Sequence, residues 1–379
     1  MEYLKIENFK CFYEVDIPIN GLTIFAGANG NGKSTAIQSL LFLRRTIEHC
    51  AIWENNMYNF KKPNGLNVEL NGSYCLSLGN SSFVLPKDSS KNEAISLGLF
   101  NEDEEFNVTY EIGDDNLGLT PTSVINEINK LDSLFKQEIY YLNAERIGPR
   151  IKQEIRFFDY PTTGYQGEFV AQLIGDTDFN YKFKVEDERI NIKLKNPRLE
   201  QQVNAWLDYI MPGVSVYATC DKETLSAQVK INNTYTKGEH IIAPNIGFGI
   251  SYILPIIVTG LIAKKKSFMI VENPEAHLHP SAQSKIGRFL AMVAKSGVKV
   301  IVETHSDHFI NGIQIACSLN EIDSDIVTIN HFSYDENSIQ PNIDSLSINK
   351  KGELSNWPKG FFDQTQIDFA ELFDIRKYE

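Results

Sequence analysis

The stretch Gly27-Ala-Asn-Gly-Asn-Gly-Lys33-Ser34 satisfies the spacing GxxxxGK[ST]. An apolar run, Gly21-Leu-Thr-Ile-Phe-Ala26, precedes it and reads as a buried strand. A helical pattern follows from Ser34 to about His49, with Ile37, Leu40, Leu41 and Leu43 on one broad face. This order of strand, glycine-rich turn and helix is the context the spacing requires. Glycines let backbone N–H groups curl round phosphates without a Cβ in the way, and the helix aims its positive N-terminal end at the same place. In such a loop Lys33 reaches the β- and γ-phosphates, and the Ser34 hydroxyl ligates Mg²⁺. The candidate nucleotide contacts are therefore Asn29, Gly30, Asn31, Gly32, Lys33, Ser34 and Thr35.

A second stretch, Phe268-Met-Ile-Val-Glu272-Asn-Pro-Glu275, is an apolar strand that ends in carboxylates. It has the form of a Walker B strand, whose terminal carboxylate sits beside the phosphate loop and holds Mg²⁺ directly or through water. Glu272 is the metal-side candidate, with Ser34. A third, Val300-Ile-Val-Glu303-Thr-His305-Ser306, is another strand with a polar exit, and a histidine there can sense a γ-phosphate by donating a hydrogen bond. Between and after them the pattern alternates: helix about 249–263, strand 268–272, helix 280–296, strand 298–303, helix 306–318. That alternation implies parallel strands.

The 379 residues are 42% hydrophobic and 22% charged, values of a globular chain long enough for a sizeable core. The net charge of −13 weighs against DNA held over a broad uniform face. Cys11, Cys50, Cys75, Cys220 and Cys317 are odd in number and scattered, with no CxxC pair, so neither a zinc knuckle nor a disulfide scaffold is suggested, and a reducing compartment fits best. The N-terminus lacks a signal-peptide pattern. The longest apolar run, Tyr252 to Ala263, is short for a bilayer and contains Pro255. The expectation is a cytoplasmic protein with no membrane partner.

Elsewhere the pattern predicts strands within 1–26, at 67–84, 106–112 and 137–143, a largely helical stretch over 165–212, and a hairpin over 214–235 with turn chemistry at Asn232-Asn233. The Lys264-Lys-Lys266 run complements a helix C-terminus or touches a phosphate backbone. Arg146 and Arg150 stand equally open to nucleotide, nucleic acid or ion pairs.

Four phrases carry a resemblance: Glu272-Asn-Pro-Glu-Ala-His-Leu-His-Pro280, Glu303-Thr-His-Ser-Asp-His308, Asn245-Ile-Gly-Phe-Gly-Ile-Ser-Tyr-Ile-Leu-Pro255 and Trp357-Pro-Lys-Gly-Phe-Phe-Asp-Gln364. Glu145-Arg-Ile-Gly-Pro-Arg150 and Gly164-Tyr-Gln-Gly-Glu168 fit as well. The chain resembles ABC-type ATPase heads of the RecF, SMC and overcoming-lysogenization-defect class. More narrowly it resembles stand-alone bacterial ATPases grouped with AAA proteins but built like ABC heads. The likeness spans nearly the whole chain and is weakest over 50–135.

The resemblance implies an α/β ABC-ATPase head, a P-loop NTPase with an N-terminal antiparallel β-subdomain, a central mostly parallel sheet and an inserted helical lobe. It implies ATP and Mg²⁺, and a basic residue, Lys10, near the nucleotide. Gly247, Gly249 and Ser251 fall at the signature motif, which in such heads closes over the γ-phosphate held by the other subunit of a homodimer. His277 to Pro280 takes the D-loop position and His305 the switch-histidine position. The corresponding segments are 1–50 with the P-loop, 51–135 a β-rich insertion, 136–244 a strand, helical lobe and hairpin, 245–330 with signature, Walker B and switch histidine, and 331–379 a tail packed on the head through Trp357 to Phe362.

The chain departs from that pattern at its signature, which lacks the usual Ser-Gly-Gly order, and at its Walker B pair. The usual Walker B pair is Asp-Glu, and here it is Glu272-Asn273. Asn273 can orient a water but cannot take its proton, so Glu275 and Glu303 are the candidate bases. Slow hydrolysis or tight switching is expected. Between Ser34 and Phe268 there is no sustained heptad pattern, so no long coiled-coil arm, and residues 306–379 show no nuclease pattern. Three classes follow: an ATPase controlling a separate effector, such as a nuclease or toxin in antiphage defence; a RecF-like ATPase acting on DNA; and a non-hydrolysing ATP-gated scaffold.

Overall fold

The structure, a computed structural model, describes all residues except 61, 64, 90–92, 113–116, 128–131, 236–239, 246, 359–360, 363 and 377–379. The chain opens with strands β1 (Glu2–Phe9), β2 (Phe12–Ile19) and β3 (Leu22–Gly27), then helix α1 (Lys33–Cys50). A short hairpin, β4 (Ile52–Glu54) and β5 (Met57–Asn59), leads to β6 (Val68–Glu69), β7 (Ile95–Phe100), β8 (Glu105–Ile112), β9 (Gly118–Glu127) and β10 (Ile139–Leu142). Next come β11 (Gln153–Glu154), helices α2 (Val170–Gly175), α3 (Thr177–Lys182) and α4 (Leu199–Ile210), and strands β12 (Ser215–Asp221), β13 (Ser226–Asn232) and β14 (Ile241–Ile242). The last third is α5 (Phe248–Ile262), β15 (Phe268–Glu272), α6 (Pro280–Lys295), β16 (Lys299–Glu303), α7 (Asp307–Ser318), β17 (Val327–Ser333), β18 (Asn342–Ser347) and α8 (Gln364–Arg376).

The central sheet has the order β10-β15-β16-β3-β17-β18. All its pairings are parallel except β17 with β18. Strands β10, β15, β16 and β3 read as near-continuous apolar runs because both faces are covered, whereas the edge strand β18 is polar and partly exposed. Alternate residues serve two cores. Leu22, Ile24, Met269, Val271, Val300 and Val302 point into a core shared with α4 to α7. Phe25, Phe268, Ile270 and Ile301 point the other way, into a core shared with α1 and the second sheet. That second sheet, antiparallel throughout, has the order β2-β1-β7-β8-β9-β6. The N-terminal antiparallel sheet, central parallel sheet and helical lobe are those of an ABC-ATPase head.

Local chemistry sets the helix starts near the site. Pro280 begins α6 at the position where its missing N–H is not needed, and His279 accepts from the Ser281 N–H. The Ser306 hydroxyl caps α7 by accepting from the Phe309 N–H at 3.0 Å. Inside α5, Pro255 has no N–H to offer the Ser251 carbonyl, which loosens the helix next to its N-terminal turn.

Two expectations fail. The hairpin turns at residues 222–225, ahead of Asn232-Asn233. Asp221 Oδ1 accepts from the Glu223 and Thr224 N–H groups there, and Leu225 takes a positive φ of 47°. The 165–212 stretch is about half helical: it holds α2 and α3, separated by Asp176, which caps α3, then a 3₁₀ turn at Asp187–Arg189 and the longer α4. From 331 onward the chain finishes β17, adds β18 to the edge of the central sheet and ends in the exposed helix α8. β17 joins the central sheet beside β3, and Phe361 is buried against His331 and Trp357 at centroid distances of 5.1 and 5.3 Å. Lys359 and Gly360 of the Trp357 to Phe362 motif lie outside the described residues.

Candidate functional site

The phosphate-binding loop leaves β3 and enters α1 with Gly27, Gly30 and Gly32 at φ of 127°, 82° and 93°. At Gly27 a Cβ would sit 2.1 Å from the Phe332 carbonyl oxygen on β17, so glycine is required for packing as well as for φ. At Gly30 a Cβ would meet nothing within 4 Å, leaving the loop's outer side open. Lys33 is buried, and its Nζ donates to the Gly27 and Ala28 carbonyls at 3.0 and 2.8 Å. Burial lowers its pKa, while Glu303 and Glu275 work against that shift.

Three carboxylates converge where the central strands end. Glu272 and Glu303 are register partners at the ends of β15 and β16. The Ser34 hydroxyl lies 3.0 Å from both oxygens of Glu303, because β16 is the strand next to β3. Burial, together with the charge of Glu272, pushes the Glu303 carboxyl up to about 7. Glu272 accepts from the Tyr141 hydroxyl at 2.8 Å and the Ala144 N–H at 3.2 Å. Glu275 accepts from the Thr304 hydroxyl at 2.8 Å and the His305 N–H at 2.6 Å. Burial raises both of these carboxyls as well.

Asn273 holds this corner together by its backbone. Its φ is 46°, and its N–H donates to the Glu303 carbonyl at 2.8 Å, carrying the β15–β16 pairing past Glu272. Its Oδ1 is buried with no hydrogen-bond partner among the described residues. Arg146 braces the same corner from below, donating to the carbonyls of Asn143 (3.0 Å), Glu272 (2.6 Å) and Asn273 (2.5 Å). Its guanidinium lies 5.4 Å from the Tyr252 ring centre, and burial lowers its pKa to about 10. The His305 pKa is lowered, first by burial and then by Lys33, so the ring is neutral near pH 7.

The loop opens into a cleft of about 640 Å³. Asn29 to Thr35, Lys10 and Glu303 line it, with Tyr13, Phe83 and Tyr334 among the walls. Lys10 Nζ donates to Gln38 Oε1 on α1 at 2.7 Å. Gly247, Gly249 and Ser251 do not line this cleft. They form the first turn of α5 and its cap, where a Cβ on Gly249 would press within 2.8 Å of the His277 carbonyl. Phe248 and Tyr252 pack on the His277 ring at 5.6 and 4.7 Å. Ser251 lies in a small cavity with Ile147, Gly148 and Arg150.

The sequence therefore picked residues that the fold gathers into two places: loop plus carboxylates, and the start of α5. It did not show that Ser34 meets Glu303, nor that Tyr141 and Thr304 hold the flanking carboxylates. It left Arg146 open, and the structure spends it on backbone carbonyls. In the lysine run, Lys264 pairs with Glu138, and Lys265 pairs with Glu188 at 2.7 Å.

A glycine-rich loop feeding α1, next to strands ending in carboxylates, on an ABC-type head, defines a P-loop NTPase fold. The family model described as "AAA domain, putative AbiEii toxin, Type IV TA system" matches residues 22–311, and the chain belongs to this family. A second model, a family of unknown function designated DUF3696, matches residues 322–372. No curated protein matches the sequence. Among solved structures, the Smc head domain with an extended coiled coil bound to the C-terminal domain of ScpA, derived from Pyrococcus furiosus, is similar at TM-score 0.52 and 12% identity, covering 99% of this chain and 100% of that one. The SmcHead bound to the C-winged helix domain of ScpA gives TM-score 0.51 at 14% identity, covering 92% and 98%. Among the described residues no helix is long and apolar enough to cross a membrane.

Proposed function

We propose that this chain is a slow ATPase that binds ATP in the loop cleft, closes as a homodimer around it and so controls a separate effector protein. The observation that carries the reading is the Ser34–Glu303 contact, which puts a hydroxyl and a carboxylate side by side at the mouth of the loop. These are hard oxygen donors of the kind Mg²⁺ takes in phosphoryl-transfer sites. No group of three or more His, Cys, Asp or Glu among the described residues offers a protein-only metal cage, and a site completed by phosphate and water needs none. Mg²⁺ bound there would neutralise charge on the β- and γ-phosphates.

The chain's own residues divide the remaining work. Lys33 exchanges the Gly27 and Ala28 carbonyls for phosphate oxygens. Glu303, with Glu272 behind it, takes the metal side, and His305 reads the γ-phosphate. Glu275 is the water-polarising carboxylate, since it lies nearer the aligned catalytic position, just past the end of β15, while Glu303 faces the Ser34 hydroxyl on the metal side. Asn273 offers its unpaired Oδ1 to the same water. A toxin or defence setting is supported by the family description, with the effector, a nuclease or toxin, supplied by another polypeptide. The non-hydrolysing scaffold stays as the second reading on one observation, an amide at Asn273 where a carboxylate is usual. Direct action on DNA is disfavoured by the charge of −13.

Calorimetry and single-turnover kinetics test this. Lys33→Ala removes a charge-assisted contact of about 1.5–3 kcal/mol, so ATP affinity falls by roughly ten- to a hundredfold. Glu275→Gln keeps ATP binding and slows turnover by at least ~100-fold. Unchanged affinity in Lys33→Ala sinks the nucleotide reading. Loss confined to Glu303→Gln moves the base to β16, and no hydrolysis in the wild type, alone or with its effector, leaves the scaffold.

A further inference from the structure

Strands β3 and β17 are parallel neighbours, with Phe332 beside Gly27. Parallel strands release their chains at the same edge of a sheet, the edge where ligands of such sheets bind. The phosphate-binding loop after β3 and the β17–β18 connection, residues 334–341, therefore emerge side by side. Asn31 Nδ2 donates to the Phe332 carbonyl at 3.4 Å between them. The connection lies within residues 322–372, the part matched by the family of unknown function.

This connection is tied down. Gln340 spends its amide on β2: Oε1 accepts from the Tyr13 and Glu14 N–H groups at 2.8 and 3.1 Å, and Nε2 donates to the Glu14 carbonyl at 2.8 Å. A third segment, residues 83–88, joins the same wall. The Lys10 N–H donates to the Val84 carbonyl at 2.7 Å, and the Tyr13 hydroxyl accepts from the Asp88 N–H at 3.3 Å. The cleft of about 640 Å³ thus has two kinds of lining. One is the glycine-rich loop with Lys33, Ser34 and Glu303. The other is Tyr13, Phe83, Pro86, Tyr334, Ile339 and Pro341. Tyr334 is 79% and Phe83 72% exposed, so their rings stand uncovered. A phosphate chain alone gains nothing from an aromatic wall. A nucleoside triphosphate uses both linings, donors for its phosphates and a flat apolar face for its base.

We propose, resting on the reading of the cleft as an ATP site, that the β17–β18 connection is its nucleobase wall: the base stacks on the Tyr334 ring, and Ile339 and Phe83 add apolar contact. Gln340, the amide best suited to read a base edge, is spent on β2, so the base is held by its face. The tail segment of unknown function thereby gains a role in the head, holding the end of the nucleotide that the glycine-rich loop does not.

The test titrates full-length purified protein with ATP and with inorganic tripolyphosphate, each with Mg²⁺, by calorimetry. Tripolyphosphate keeps the phosphate contacts and lacks the base. In Tyr334→Ala, ATP affinity should fall roughly tenfold, the loss of one base–aromatic stack, and tripolyphosphate affinity should not change. Tyr334→Phe keeps the ring and should restore ATP binding. Lys33→Ala should weaken both probes. Tyr334 is exposed, so the melting curve of Tyr334→Ala without nucleotide should match that of the wild type. In the wild type, 8-azido-ATP should photolabel residues 334–341. Unchanged ATP affinity in Tyr334→Ala, equal losses for ATP and tripolyphosphate, no rescue by Tyr334→Phe, or label confined to other segments overturns the nucleobase wall. In those cases the loop cleft still stands as an ATP site if Lys33→Ala weakens ATP binding. Wild-type protein that binds neither probe removes the ATP site itself, and the nucleobase wall with it.

Discussion

Glu303 is the residue whose protonation the fold decides most strongly. Its pKa goes from 4.5 to about 7 on folding, because β16 carries it out of water and sets it across from Glu272. The native state therefore keeps a proton between pH 4.5 and 7 that the unfolded chain has released. Unfolding lets that proton go, so stability falls as pH rises through this window and the loss is complete above it. Glu303→Gln has no charge to bury. In nucleotide-free, chelator-treated buffer it should be more stable than the wild type at pH 8 by on the order of 2–3 kcal/mol. The difference should shrink towards zero near pH 5. Urea titrations at the two pH values check this, and a pH-independent difference contradicts it. The sequence named Glu303, since a strand ending in Glu-Thr-His is legible. Its contact with Ser34 was not legible, because that depends on which strand inserts between β3 and β15.

At the scale of elements, legibility followed the local code. β15, α6, β16 and α7 sit within a residue or so of their expected spans, because apolar period and caps agree there. The β12–β13 turn was misplaced because Lys222-Glu-Thr-Leu225 carries no glycine or asparagine, and Asp221 supplies the turn from outside it. The pairing of β1 with β7 was invisible, since it joins segments far apart in sequence. Gly27 shows both sides of this. The motif demands glycine for phosphates, but the structure adds a second demand, since a Cβ would meet the Phe332 carbonyl of β17. Gly27→Ala should therefore push β17 from β3 and cost several times more stability than Gly30→Ala. The latter meets no atom and bears only the strain of its φ, about 1 kcal/mol. Thermal melts of the two variants compare them directly. Equal losses would mean that φ alone governs the loop.

For the whole molecule, the decisive fact is that the two groups of motif residues do not share a cleft. Lys10 and Asn29 to Thr35 line the loop cleft, whereas Gly247, Gly249 and Ser251 start α5 beside His277 and Arg150. Gly247 and Phe248 face solvent, and Gly249 is held close to the His277 backbone, so this corner is presented outward. If it acts on a nucleotide, it reaches one held by a second chain. Ser251→Arg would then place a long cation at the meeting surface, next to Arg150, and should block ATP-driven closure. ATP affinity of the separate chain should be unchanged, because Ser251 touches nothing in its own cleft. Crosslinking from the start of α5 to the loop of a second chain, with and without ATP, measures this. The wild type should crosslink only with ATP, and Ser251→Arg with neither condition. Equal crosslinking in all four cases would remove the closing dimer from the mechanism and leave ATP binding as an event within one chain.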